Sequence, residues 1–331
     1  MDIQKFRAYM DLGRIQGVSS TAAIAILGAY TSTGTPSPID WVKFIIVSAL
    51  CHFSAASMNE YCDKELDSKV KELSNKPMVK GILTDNEALS FSIFMLFAGI
   101  IAATYFFPKP PALIILLFSG MILFSYDLVG KKIFLWYEVA LSIGLSLYVL
   151  FGIYTIGEPT PISWIVFLFI FIYSLFGQWE NEMKDVDADR ILKIPSFAVL
   201  SGYTITKRLK LHDPILLYGI TVKIILNIIF LLPFILGMTT GTYLYIFLFI
   251  GLPAQTYVIY HLFGEHTRKD FIKIMMIDLA VTWILGTSLV LDRAGYYVFV
   301  VLVLFSFLGY RIGSSLQRGA EFKFGGAEEY N

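Results

Sequence analysis

Two short stretches of this chain repeat one another at a spacing that suits metal chemistry. NEYCDKELD places Asn59, Asp63 and Asp67 at i, i+4 and i+8, and NEMKDVDAD places Asn181, Asp185 and Asp189 at the same intervals, 122 residues later. On an α-helix such intervals bring three side chains to one face. Aspartate and asparagine supply oxygen donors, which Mg2+ prefers, and its shell is usually completed by waters and substrate phosphate oxygens. Two motifs point to two ions. Such cations offset charge building on a departing diphosphate, and without them four gathered carboxylates repel one another. One acidic run at a helix exit is ordinarily a solvated face, whereas two copies of one pattern in matching positions favour a built site. Glu60, Glu65, Glu182 and Asp187 fall mostly on other faces and are expected in solvent.

The elements that must position these motifs are membrane helices. The 331 residues are 56% hydrophobic and 16% charged, with a net charge of zero, and the mean hydropathy is +0.67. This places the chain in the membrane class and gives no reason to expect nucleic acid. A bilayer core takes about 20 predominantly apolar residues per helix. Ten stretches qualify, near 15–33, 40–59, 88–107, 111–127, 134–155, 162–181, 214–237, 242–262, 273–291 and 295–313. Basic residues test the set, because they concentrate on the cytoplasmic side. Of 26 Lys and Arg, all but Lys43, Lys109, Lys223 and Arg293 fall in the amino terminus, the even-numbered connections or the carboxyl tail, leaving 22 on one side. Both termini and the two long connections, 60–87 and 182–213, are therefore expected in the cytoplasm. Each motif follows an even-numbered span, so both reach the same surface and are expected to face each other across a helical bundle. The lead MDIQKFRAYMDLGR carries acids and bases and has no convincing small-residue cleavage site, so it reads as a short cytoplasmic segment rather than a removed signal. Cys51 and Cys62 form neither a disulfide framework nor a zinc spacing.

At the two motifs the chain resembles the UbiA superfamily of intramembrane prenyltransferases, whose members carry N-D-x-x-D-x-x-x-D after the second span and a related aspartate motif after the sixth. Asn75-Lys76-Pro77 with Gly81 resembles that family's N-R-P-x-x-x-G segment. Tyr126 with Lys131 and Lys132 resembles its Y-x-x-x-x-K-R segment, and Asp189-Arg190 through Gly202 is similar to its D-R stretch and following glycine. The matched segments lie within 14–202, and the helices at 214–313 match no motif. Glu60 stands where the family usually has Asp, and Lys76 where it has Arg, which replaces a bidentate phosphate grip by a point charge. The family fold usually has nine spans, against ten counted here.

The resemblance implies an all-α integral membrane bundle of nine to ten helices, one domain over 1–331, with a central cavity and motif loops on the cytoplasmic side. It implies that Asp63, Asp67, Asp185 and Asp189 hold Mg2+, supported by Asn59 and Asn181. Arg14, Lys76, Lys131, Lys132 and Arg190 would hold the diphosphate, and Tyr126 would face the allylic cation. The substrates implied are a prenyl diphosphate and a lipophilic or amphipathic acceptor, either an aromatic or quinone precursor or an ether-lipid glycerol phosphate. A membrane terpene cyclase would use the same site without an acceptor. An ion transporter would also employ intramembrane carboxylates, but inverted repeats with midplane ligands are typical there, whereas this repeat lies at same-sided helix exits. Within the spans, His52 shares a helix face with Asn59, seven residues on. It and Glu138 are expected either to meet the acceptor or to be satisfied by neighbouring helices.

Overall fold

A computed structural model describes residues 3–70, 73–129, 133, 136–177, 179–204, 209–210, 212–263 and 268–318. It is built of helices: α1 Ile3–Leu12, α2 Val18–Thr31, α3 Pro38–Asp67, α4 Asp85–Phe106, α5 Pro110–Val129, α6 Trp136–Ile156, α7 Pro161–Phe176, α8 Trp179–Leu192, α9 Phe197–Leu200, α10 Pro214–Ile235, α11 Leu244–Ile246, α12 Leu252–Leu262, α13 Arg268–Ser288 and α14 Leu291–Arg318. A helix coincides with each of the ten apolar stretches. Among the described residues seven are long and apolar enough to cross a membrane, and Pro161–Phe176 is a shorter apolar helix. The chain divides into two compact units, one of residues 1–128, 147–158 and 304–331, the other of residues 129–146 and 159–303.

In the first unit, α2 and the second half of α6 approach closely because the contact is made by small residues. Ala22, Ala23, Ala25 and Ala29 are fully buried, and a Cβ on Gly28 or Gly152 would collide with the backbone of Val149 or Ala25. Small residues are how helices reach backbone contact where the surrounding lipid is as apolar as the side chains. The helix α3 starts with Pro38 at its first turn and Ser37 N–H donating to Asp40 Oδ2 at 2.9 Å. At 30 residues it is about 45 Å long against a hydrocarbon core of about 30 Å. The helix is thus longer than the apolar layer, and its last turns carry the polar Asn59, Asp63 and Asp67. A reciprocal cap starts α4, with Glu87 N–H donating to Thr84 Oγ1 at 3.3 Å and Thr84 N–H to Glu87 Oε2 at 2.9 Å. The outer surface of α4 and α5 carries exposed Phe94, Phe97, Ile101, Ile114, Leu117 and Met121, as a lipid-facing surface does. The amino-terminal lead is itself helical. Ala8 and Leu12 of α1 pack with Met78, Leu83 and Ala88, which ties the connection after α3 down onto α1.

In the second unit, Trp179, Met183, Val186, Ala198, Tyr203 and Leu216 lie at the centre of a buried cluster that fixes α8 and α9 on α10. Inside the helical layer, Lys223 of α10 pairs with Asp278 of α13, both side chains almost fully buried. Asn227 Nδ2 donates to Gln255 Oε1 at 2.8 Å, joining α10 to α12. The apolar stretch at 162–181 is not one helix, so the second motif does not extend its span as the first does. The helix α7 stops at Phe176 with Gly177 at its C-cap, and α8 begins afresh at Trp179. A Cβ on Gly177 would strike the Tyr173 carbonyl, so the tight exit needs glycine.

Candidate active site

In the first unit, one face of α3 presents Asn59, Asp63 and Asp67, each 6% exposed. The partners come from elements far apart in sequence. The Arg14 guanidinium, in the turn between α1 and α2, donates from Nη2 to Asn59 Oδ1 at 2.7 Å and to Glu60 Oε1 at 2.6 Å, and from Nε to Glu60 Oε1 at 3.1 Å. From the connection after α3, Lys76 Nζ reaches Glu60 Oε2 at 3.0 Å and Asp67 Oδ2 at 2.8 Å. Asn59 Nδ2 donates to Asp127 Oδ1 at 2.8 Å. Tyr126, its neighbour near the end of α5, lies within electrostatic reach of Arg14. The result is a cluster of oxygens held by two cations and one amide, at the end of the longest helix.

Two expectations change. Glu60 is 6% exposed and Glu182 5% exposed, so neither is a solvated side chain. Glu60 is the hub between Arg14 and Lys76, and Glu182 Oε2 accepts from the Ala198 N–H at 3.1 Å, holding α9 against α8. Glu65 and Asp187 are exposed, as expected. Asp127 was not singled out from the sequence. The signal for Glu60 and Glu182 was present, since Glu follows Asn in both copies of the motif.

In the second unit, Asn181, Asp185 and Asp189 follow one register along α8. Asp185 is more open than its counterpart on α3, its side chain 42% exposed and 3.3 Å from Lys184 Nζ. Arg190 Nη2 donates to the Tyr203 carbonyl at 2.7 Å, and its Nη1 stands 3.6 Å from Asp187 Oδ1. Arg190 therefore ties α8 to the turn after α9. Burial first, and then the Asp187 carboxylate, push the Tyr203 phenol up to about 12, so it remains a neutral packing group at any ordinary pH. Lys131 and Lys132 lie outside the described residues.

The donor chemistry fits Mg2+. The motif side chains offer carboxylate and amide oxygens, hard ligands for a hard cation. Among the described residues no three His, Cys, Asp or Glu side chains are gathered tightly enough to enclose an ion. Mg2+ usually completes its shell with water and substrate oxygens and not with a closed protein cage.

The model of the UbiA prenyltransferase family matches residues 18–279. Protoheme IX farnesyltransferase of Alcanivorax borkumensis is 25% identical over 293 residues, covering 87% of this chain and 93% of that one. The protein of the same name from Rickettsia bellii is 26% identical, covering 73% and 78%. Among solved structures, a UbiA homologue from Aeropyrum pernix K1 matches with a TM-score of 0.67 at 16% identity, covering 84% of this chain and 98% of that one. A UbiA homologue from Archaeoglobus fulgidus, bound to DMAPP and Mg2+, matches with a TM-score of 0.57 at 15% identity, covering 94% and 99%. A structure from work on digeranylgeranylglyceryl phosphate synthase matches with a TM-score of 0.66 at 18% identity, covering 88% and 99%.

Proposed function

The chain belongs to the UbiA prenyltransferase family, and from that premise we propose that it is a Mg2+-dependent enzyme that moves a prenyl chain from its diphosphate to an amphipathic acceptor within the membrane. The observation that carries this reading is the buried Asn59, Glu60, Asp63 and Asp67 cluster with Arg14 and Lys76 built into it. The C1–O bond of the prenyl diphosphate breaks, and its electron pair leaves with the diphosphate. The acceptor's electron pair then forms the new bond to C1, and the acceptor gives up a proton. Asp63, Asp67, Asp185 and Asp189, with help from Asn59 and Asn181, would hold two Mg2+, which when bound would supply Lewis-acid stabilisation of the leaving diphosphate.

The chain's own cations do the rest. Arg14 commits Nε and Nη2 to α3, and its side chain, 43% exposed, would offer Nη1 to the diphosphate. Lys76, Lys131, Lys132 and Arg190 supply further positive charge, which steadies the negative charge developing on the leaving oxygens. Tyr126 presents a ring face to the allylic cation. Both motifs serve the same reaction, so 1–331 acts as one functional domain. The helices make nine or ten crossings with the motif ends in the cytoplasm, where 22 of 26 basic residues are expected.

The acceptor classes to be separated are an aromatic or quinone precursor, an ether-lipid glycerol phosphate and, by likeness to the protoheme IX farnesyltransferases, a haem. Mass spectrometry of products from the purified protein with farnesyl and geranylgeranyl diphosphate and each acceptor tests the proposal. A prenylated acceptor in one arm is expected. Hydrocarbon formed from diphosphate alone would mean a cyclase, and no product in any arm would overturn the proposal.

A further inference from the structure

We infer that His52 is a positioning residue for Arg14, setting the place of its guanidinium and through it the affinity for the prenyl diphosphate. This rests on the reading above that Arg14 engages the diphosphate.

Both ring nitrogens of His52 are occupied by protein. Nε2 is 3.1 Å from the Arg14 carbonyl oxygen, and Nδ1 is 2.9 Å from Thr21 Oγ1. A carbonyl only accepts, so Nε2 carries the proton, and in the neutral ring Nδ1 accepts from the Thr21 hydroxyl, whose proton is shared with the Gly17 carbonyl oxygen 3.2 Å away. That leaves the neutral ring with one tautomer and no nitrogen for an acceptor molecule. The residue it holds is unusual, because Arg14 has φ 46° and ψ 54°, a left-handed backbone that costs a non-glycine residue energy and persists only where its surroundings impose it. The Arg14 carbonyl accepts from Gly17 N–H at 2.8 Å within the turn, and His52 fills its second lone pair.

The same helix also holds the other end of the side chain. Asn59 and Glu60, seven and eight residues after His52, receive the guanidinium, so α3 grips the carbonyl and the guanidinium of one arginine two turns apart. Gly17 makes room for this. Its backbone, φ −85° and ψ −13°, is open to any residue, but a Cβ there would lie 2.5 Å from His52 Cε1 and 2.6 Å from Nε2. The glycine is required by the imidazole and not by the turn.

The test measures KM for prenyl diphosphate and for acceptor in H52F, which keeps bulk without a donor, and in H52Q, whose amide nitrogen reaches about as far as Nε2. A lost donor of this kind is worth about three- to tenfold. H52F is expected to raise KM for the diphosphate by that factor and leave the acceptor KM unchanged, and H52Q to recover most of the loss. In an R14A background H52F should add nothing. G17A, which crowds the ring without touching the motif, should reproduce H52F and stands in for it if H52F does not fold. Equal losses in H52F and H52Q, an additive loss on R14A, or a change confined to the acceptor KM would overturn the inference. If R14A weakens diphosphate binding while H52F and G17A do not, His52 alone is wrongly assigned. If R14A itself binds diphosphate as wild type does, the reading of Arg14 fails and this inference falls with it.

Discussion

Replacing Glu60 by Gln removes the charge between Arg14 and Lys76 while keeping the side chain's size. Breaking a sealed ion pair from one side costs about 3–5 kcal/mol, because the abandoned charge stays buried. Here the cations are not sealed. The Arg14 side chain is 43% exposed and that of Lys76 24% exposed, and each keeps a second partner, Asn59 at 2.7 Å and Asp67 at 2.8 Å. Discounted for that access, the loss is about 1–2 kcal/mol. For a chain of this size, with an unfolding entropy of about 0.7 kcal/mol/K, it corresponds to a fall of about 1.5–3 °C in the midpoint of thermal unfolding in detergent. Glu65→Gln, on the same helix but exposed, is the control and should move the midpoint by less than about 1 °C, since such surface changes stay within about 0.5 kcal/mol. Equal midpoints for the two variants would refute the placement of Glu60 as a hub.

Lys131→Ala should weaken prenyl diphosphate binding several-fold and leave acceptor affinity unchanged, because charge-assisted contacts to phosphate are roughly twice as strong as neutral ones; unchanged diphosphate binding by calorimetry would reduce Lys131 to an anchor. Asp278→Asn should destabilise the fold, by at most about 3–5 kcal/mol, because it removes the charge set against the buried Lys223. The double variant Lys223→Met with Asp278→Leu should recover most of that stability in the same melting assay. A single cysteine placed after residue 318, in a background lacking Cys51 and Cys62, should be labelled only from the cytoplasmic side; labelling from outside would reduce the crossings from ten to nine.

The helices were legible because a bilayer demands long apolar runs, and the motifs because helical spacing of 4 and 8 is unambiguous. What the sequence hid depends on contacts between distant segments. The helix α1 carries Lys5, Arg7 and Asp11 and reads as a polar lead, yet Ala8 and Leu12 find a core in the connection after α3. The break at Gly177 is silent in an apolar run that tolerates glycine. Glu60 sits about 100° around the helix from Asn59, a face that looks solvated until Arg14 and Lys76 arrive from two other segments to cover it. His52 shares the motif's face, which suggested a ligand-facing role, but Gly17 lets the turn at Arg14 close over the ring. Spacing along a helix tells which residues share a face; it cannot tell what packs against that face.

The central claim is that the two aspartate motifs together support Mg2+-dependent ionisation of a prenyl diphosphate. It is tested most directly by diphosphate release, with prenyl donor and acceptor present, in wild type, Asp63→Ala and Asp185→Ala, each with Mg2+ and with EDTA. Release is expected only in wild type with Mg2+, with both variants inactive although they elute from size-exclusion chromatography as wild type does. Full activity of wild type in EDTA, or of either variant in Mg2+, would contradict the account.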